Sequence, residues 1–524
     1  MNKNKIGLIS AIFLGVTAII GSGWLFAPYK AAMIAGPAAI LSWLIGCLLV
    51  LILALGFAEI ASIYPKRGLS AIIPTLSHNK YFGFPFALAN WLGIVAVIGL
   101  EADATVQYLI NLVPSLKDVF FLHNQLTLCG ILLSIILVVL YCIVNYWGAK
   151  ILARTNNLIT VVKLIVPFVT ALIIISYAFH PHNFYSVNNS FVPYGTKSIL
   201  MALVSSGIIV AFNGFQTIVS FASEIENPQK TIPRALITSV LISLVVYLLL
   251  QVAFLGALPA NMLGQGWDHI VMSAPMVQLS LMLGLGLLSS IIFFGATAAP
   301  TGAAIAFTGS ASRMFTAMSR GEQMPKYFDD VHPLYRVSRK SLVMNTFLSI
   351  LFILLFRSWS KLAEVLSLFH LISYLPIPLA LVVFRRRLER SRYTFMLPGG
   401  HFFSLFLFVT FTYLLTLIDP TVLLELFVFF AVSLLVFIIL SVKSLTNMFS
   451  ILRKCYSIVI YFSGLFLFAK IAPTSHHWLS SVVYLSLLIV FSVLSFYLMT
   501  RPDEHRVSTQ LDEESEAASI NQPA

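Results

Sequence analysis

Ile19-Ile20-Gly21-Ser22-Gly23-Trp24-Leu25-Phe26 lies in the first apolar segment and puts two glycines and a serine where a membrane helix should be most regular. Glycine inside a helix costs roughly 1 kcal/mol relative to alanine. Backbone groups released by an unwound turn are tolerated in lipid only where they are buried in protein or line a wet cavity. The stretch therefore predicts a helix interrupted at mid-membrane. Its second half, beginning near Ser22, directs unpaired N–H groups and a positive dipole end inward, a setting that suits an anion, while the carbonyls closing the first half suit a cation. A Gly/Ser seam for close helix packing accounts for the same residues, and this stretch alone leaves both readings open.

Composition sets the environment. Of 524 residues, 59% are hydrophobic and 10% charged, and the mean hydropathy is +0.93, too apolar for an ordinary soluble protein. The chain reads as an all-α polytopic membrane protein. Its first apolar segment is too long for a cleavable signal and is read as a retained helix. Cys47, Cys129, Cys142 and Cys455 lack metal-ligand spacing and read as packing residues. No paired carboxylates at hydrolase spacing, phosphate-binding glycine loop or His/Cys cluster occurs, which argues against an enzyme, an ATP-driven pump, a metal site or a bound cofactor.

At about 20 apolar residues per crossing, segments fall near 6–34, 38–62, 84–112, 126–146 and 155–179. A second five fall near 198–222, 234–258, 275–318, 341–357 and 361–384, the third crossing and then running along the membrane face. Four more lie near 402–418, 421–442, 450–471 and 477–499, about fourteen in all. Domains follow as 1–180, 198–385, 400–500 and a polar, acidic tail over 501–524 that reads as disordered.

Lys and Arg gather in every second loop, and the loops between hold few: Lys30, Lys117, Lys197, Arg357, Lys361 and Lys470. Lys3, Lys5, Lys66, Arg67, Lys80, Lys150, Arg154, Lys230, Arg234, the run Arg313 to Lys340, Arg385 to Arg392, Lys443 to Lys454, Arg501 and Arg506 fall in one set. That set is expected to be cytoplasmic, with both termini, in a multi-pass protein of the cytoplasmic (inner) membrane. The net charge of +12 is thus spread over short loops facing the lipid bilayer, and a nucleic-acid partner is excluded.

The sixth segment repeats the anomaly of the first: Val210-Ala211-Phe212-Asn213-Gly214-Phe215-Gln216 sets Asn, Gly and Gln in an apolar run. Interruptions at matching places in two halves are the sequence pointer to an inverted-repeat transporter with its site near the midplane. An α-amino acid, carrying both charges, fits such a pair of breaks.

Ile20-Gly21-Ser22-Gly23, Gly214-Phe215 and the run Ser223-Glu224-Ile225-Glu226-Asn227-Pro228-Gln229-Lys230-Thr231-Ile232-Pro233-Arg234 resemble the amino acid permeases of the amino acid, polyamine and organocation superfamily. Ala58-Glu59-Ile60, Tyr64-Pro65-Lys66-Arg67-Gly68, and Ser312-Arg313 through Gly321 and Pro325 carry the resemblance further, over roughly the first 400 residues. The Gly-Ser-x-Trp-Leu-Phe start and the long helix count are similar to bacterial aspartate:proton symporters. The resemblance implies a five-plus-five inverted-repeat, leucine-transporter-like fold with alternating access and about four additional C-terminal helices.

It also implies roles. Ser22 and Gly23 supply carboxylate-binding amides, with Gly21 permitting the bend; Ile19, Val210 and Asn213 supply amine-binding carbonyls beside Gly214. The aromatic lid falls at or next to Phe212. Gln216 stands where many relatives have an acid, which removes a titratable group. Lys163, deep in the fifth segment, matches the coupling lysine of proton-coupled relatives and is expected to face the Thr17 and Ile20 carbonyls, bracing the unwound helix while protonated. A lysine permanently charged and satisfied by carbonyls is the alternative.

Glu101 or Asp103 can be a proton stop or an interfacial acid; Glu59 and Glu224 can latch the inward gate or be solvated ends. His370 reads as packed, and Thr297 and Thr301 as hydroxyls opposite Lys163. The function expected is proton-coupled import of a small-molecule amino acid, with protons as the coupling ion, an amino acid exchanger as the alternative, and a non-transporting sensor as a third reading. Substrate identity stays open, an acidic one being implied by the resemblance alone.

Overall fold

The computed structural model describes residues 5–111, 115, 117–122, 125–147, 149–441, 445–471 and 481–501. The acidic tail beyond Arg501 and the positions Lys3, Lys443 and Arg506 lie outside them.

The first segment is two helices, α1 (Leu8–Ile19) and α2 (Gly23–Ala35), parted by Ile20-Gly21-Ser22. A 3-10 turn at Gly36–Ala38 leads to α3 (Ala39–Ile63), then a short helix the sequence reading lacked, α4 (Leu69–Ser77), then α5 (Lys80–Asn111). Gly68, at φ +63, sits where a Cβ would meet the Arg313 backbone, and this close approach ends the α3–α4 turn. After α6 (Lys117–Phe120) and a two-residue hairpin come α7 (Leu128–Tyr146) and α8 (Ala149–Tyr177), which starts six residues before the expected boundary.

The sixth segment is broken twice, into α9 (Thr196–Ser205), α10 (Ile208–Phe212) and α11 (Gln216–Ser220). It is followed by α12 (Pro228–Ala257). The single helix expected over 275–318 is instead α13 (Pro275–Met282) and α14 (Gly286–Arg320), because Gly284 at φ +74 turns the chain between them. After α15 (Arg339–Phe356), the tenth segment divides into α16 (Trp359–Tyr374) and α17 (Pro376–Arg387) at Pro376, which has no N–H to continue the ladder. The rest is α18 (Gly400–Thr416), α19 (Pro420–Ser441), α20 (Leu445–Ile471) and α21 (Ser481–Met499).

Among the described residues, 11 helical runs are long and apolar enough to cross a membrane. This differs from the fourteen segments of the sequence reading at three places: Gly23–Ile63 runs α2 into α3, and the twice-broken sixth segment and the 17-residue α18 fall below the length of a span. The chain is a multi-pass, all-α membrane protein. Burial separates centre from rim. The apolar stretch of α5 is 100% buried, whereas those of α7, α15 and α21 are 33%, 28% and 33% buried and turn Leu132, Phe347 and Leu494 outward, as helices whose outer faces meet lipid do. The broken helices lie inside, on α3, α8, α12 and α14.

Candidate functional site

The two breaks meet. Gly214, at φ +111, lies so close to the last turn of α1 that a Cβ there would stand 2.6 Å from the Ala18 carbonyl carbon and oxygen. Only glycine takes this backbone conformation without strain and allows this approach. Tyr247 of α12 ties the breaks together: its hydroxyl is 2.9 Å from both the Ile19 and the Ala211 carbonyl oxygens and shares its one proton between them. The carbonyl predicted to receive a substrate amine, Ile19, is therefore held by a tyrosine in this state. The Val210 carbonyl accepts the Asn213 N–H at 3.0 Å.

At the start of α2 the Ser22 N–H donates to Glu101 Oε2 at 2.7 Å. Glu101, 4% exposed, is not interfacial; it projects from the middle of α5 into the bend, and a Cβ on Gly21 would collide with its carboxyl group. A carboxyl group thus already occupies the helix N-terminus the sequence reserved for an anion, and that group belongs to the protein. The Ser22 hydroxyl accepts from Trp359 Nε1 at 2.8 Å. Gly23 packs on Ala211, where a Cβ would lie 2.9 Å from the Ala211 Cβ.

Below the bend, Lys163 of α8, fully buried, donates to the Thr17 carbonyl at 2.5 Å, while the Thr17 and Thr160 hydroxyls bond each other. The expected second bond, to Ile20, is not formed among the described residues. Thr297 is half exposed on the far side of α14, bonded to its own Phe294 carbonyl, so it does not face Lys163. Lys163 and Glu101 set an amine and a carboxyl group on the two flanks of one unwound turn.

At the second break, Gln216 folds back: its Oε1 accepts the Gly214 N–H at 3.2 Å and its Nε2 donates to Asn213 Oδ1 at 2.6 Å. It is an internal cap for the break. Phe212 is fully buried, its ring edge-on to Trp43 and Tyr247 at 5.6 Å from each. Asp103, read as a proton stop or an interfacial acid, is 2% exposed with neither oxygen hydrogen-bonded among the described residues. His370 is buried, as read from the sequence.

Side-chain contacts cross the structure on both sides of the breaks. Towards the end holding the α11–α12 connection, Glu224 receives Arg313 Nε at 2.8 Å and Nη2 at 2.9 Å, and Arg67 at 2.9 Å. Arg313 also covers the Phe221 ring at 3.7 Å. Burial pushes the Glu224 carboxyl up, but Arg313 and Arg67 outweigh it and hold the group below the usual carboxylate range. Glu59 is bound by Arg385 at 2.6 and 2.7 Å and by the Leu397 N–H, so neither glutamate is a solvated end. Ile6 pairs with Ile225 across this end. At the other end, Phe26 stacks on Trp359 at 4.5 Å and Tyr29 donates to the Ile270 carbonyl at 2.9 Å.

Tyr247 and Trp359 escaped the sequence reading. A hydroxyl in the aliphatic run Val245-Val246-Tyr247-Leu248 was a signal for the first; Trp359, at a helix start, gave none.

The family model described as "Amino acid permease" matches residues 6–423. The chain belongs to the amino acid permease family, whose members named below are transporters and not enzymes. Similar proteins include the glutamate/serine transporter AimA of Bacillus subtilis (strain 168), 37% identical over 385 residues, covering 73% of this chain and 71% of the relative. The aspartate-proton symporter of the same organism is 32% identical over 399 residues, 76% of each chain. The serine/threonine exchanger SteT is 26% identical over 411 residues, 76% of this chain and 86% of the relative.

Proposed function

We propose that this amino acid transporter is a proton-coupled symporter in which Glu101 and the substrate α-carboxylate take turns on the Ser22 amide. The observation that carries the reading is the 2.7 Å bond from the Ser22 N–H to Glu101 in the bend of the first helix. A carboxylate at a helix N-terminus is held by unpaired amides and the dipole together. Two carboxylates do not share one amide, so the substrate enters when Glu101 accepts a proton and leaves. The substrate amine then replaces the Tyr247 proton at Ile19 O, next to the Val210 and Asn213 carbonyls. Lys163 holds Thr17 O while protonated and lets the lower half of helix one move when its proton is passed on.

In this reading 1–180 and 198–385 are two inverted repeats, and 400–500 stand outside them. The basic loops are cytoplasmic, which makes the Glu224–Arg313–Arg67 cluster the inward gate and Phe26–Trp359 the outward one. With both shut, this arrangement corresponds in the proposal to an occluded state of an alternating-access cycle. Relatives named for glutamate, serine and aspartate make those amino acids the first substrates to try.

Purified protein in liposomes tests the reading. Symport requires labelled amino acid to accumulate under an inwardly directed proton gradient with no amino acid inside. Uptake that appears only after the lumen is loaded with substrate overturns symport in favour of exchange, the activity for which one relative is named.

A further inference from the structure

The hydrogen bonds around Asn213 fix which end of its amide faces what. The Gly214 backbone N–H can only donate, so the Gln216 atom 3.2 Å away is its oxygen. Gln216 Nε2 must then donate, and it donates to Asn213 Oδ1, which also accepts from the Tyr374 hydroxyl at 3.3 Å. This leaves the Asn213 NH2 group with two hydrogens, in a residue 1% exposed, and without an acceptor among the described residues. Four positions on, the Thr217 hydroxyl is fully buried and equally without a partner.

Buried polar groups in proteins are almost always hydrogen-bonded, and an exception calls for a missing partner. These two belong to the second break. Gly214 presses that break on Ala18, one residue before the Ile19 carbonyl and four before the Ser22 amide. We infer that the Asn213 side-chain amide, supported by Thr217, reads an oxygen on the side chain of the bound amino acid, and so selects short side chains ending in a carboxylate or hydroxyl over aliphatic ones of the same size. The inference rests on the paired breaks being the amino acid site. The main-chain atoms there see only the head group; Asn213 supplies a contact beyond it. A donor left unpaired by an aliphatic side chain is what makes such a site reject it.

Binding to purified protein is measured for L-aspartate, L-serine and L-2-aminobutyrate, the last matching serine in length without the oxygen. The native chain is expected to prefer aspartate or serine over 2-aminobutyrate by about tenfold or more. Asn213→Val removes most of that preference, read as the ratio of the aspartate or serine affinity to that of 2-aminobutyrate, so a general loss of binding does not enter it. Asn213→Asp keeps the oxygen that serves Gln216 and Tyr374 but turns the donor into an acceptor, so aspartate is lost and L-2,3-diaminopropionate is gained. The inference is overturned if the native chain shows no preference, if Asn213→Val weakens all three ligands equally, or if Asn213→Asp still binds aspartate as the native chain does. Failure of the native chain to bind any of the amino acids overturns instead the reading on which it rests.

Discussion

Replacing Glu101 by glutamine removes the charge that competes with substrate but keeps an oxygen within reach of the Ser22 N–H. At alkaline pH, where the account has Glu101 ionised, the native 2.7 Å bond is a charge-assisted one inside the protein. Hydrogen bonds to charged groups contribute about 1.5–3 kcal/mol and neutral ones about 0.5–1.5 kcal/mol. The substitution therefore weakens the internal competitor by about 1–1.5 kcal/mol, which corresponds to roughly tenfold tighter amino acid binding at alkaline pH. It also removes the group whose protonation makes room. Native affinity should fall as pH rises, by up to about tenfold per pH unit where one proton is taken up per ligand, while Glu101→Gln should bind with a flat pH profile. In liposomes the variant should exchange substrate across the membrane yet fail to accumulate it under a proton gradient. Retention of gradient-driven accumulation by Glu101→Gln refutes the reasoning, whatever its affinity.

Lys163→Ala removes the brace on the Thr17 carbonyl, worth about 1.5–3 kcal/mol as a bond from a charged donor; gradient-driven uptake should drop at least roughly tenfold, measured as initial rate in liposomes, and full uptake contradicts the coupling role. Gly214→Ala puts a methyl group onto the Ala18 backbone at a φ of +111; a stability loss of about 2 kcal/mol or more is expected as a lower melting temperature in detergent, and an unchanged melt contradicts the close approach. Glu224 is depressed in the folded state, so its stabilising contribution is present above its ordinary value of 4.5 and is lost only as pH falls through the lower, folded value. The clasp it forms with Arg313 and Arg67 is accordingly insensitive to pH between about 5 and 8. Glu224→Gln should change the transport rate but not the shape of its pH profile over that window; a shifted profile shows that the clasp titrates during the cycle.

The breaks were legible because glycine and small polar residues in an apolar run have few other uses, and because two such runs occupied matching places. Helix ends were less so. The turn at Gly284 looked like one more glycine in an aliphatic stretch, and the short helix α4 carried no apolar span to announce it. Lys163 was placed at Thr17 by the resemblance to proton-coupled relatives; its depth in an apolar segment told only that the amine needs polar partners. Glu101 was harder: its spacing from Asp103 told only that the two acids leave the helix on different faces, and nothing in the order of residues told which face meets Ser22. Tyr247 and Trp359 bind backbone and side-chain atoms more than 200 residues away in sequence, contacts that exist only after the two halves of the chain have come together.

Infrared difference spectroscopy on the purified protein, with and without amino acid, reads the state of Glu101 most directly. The account predicts that substrate binding converts one carboxylate to a protonated carboxyl group, a signal present in the native chain and missing from Glu101→Gln. A Glu101 carboxylate that keeps its ionised signature when substrate binds contradicts the claim that the two take turns on one amide.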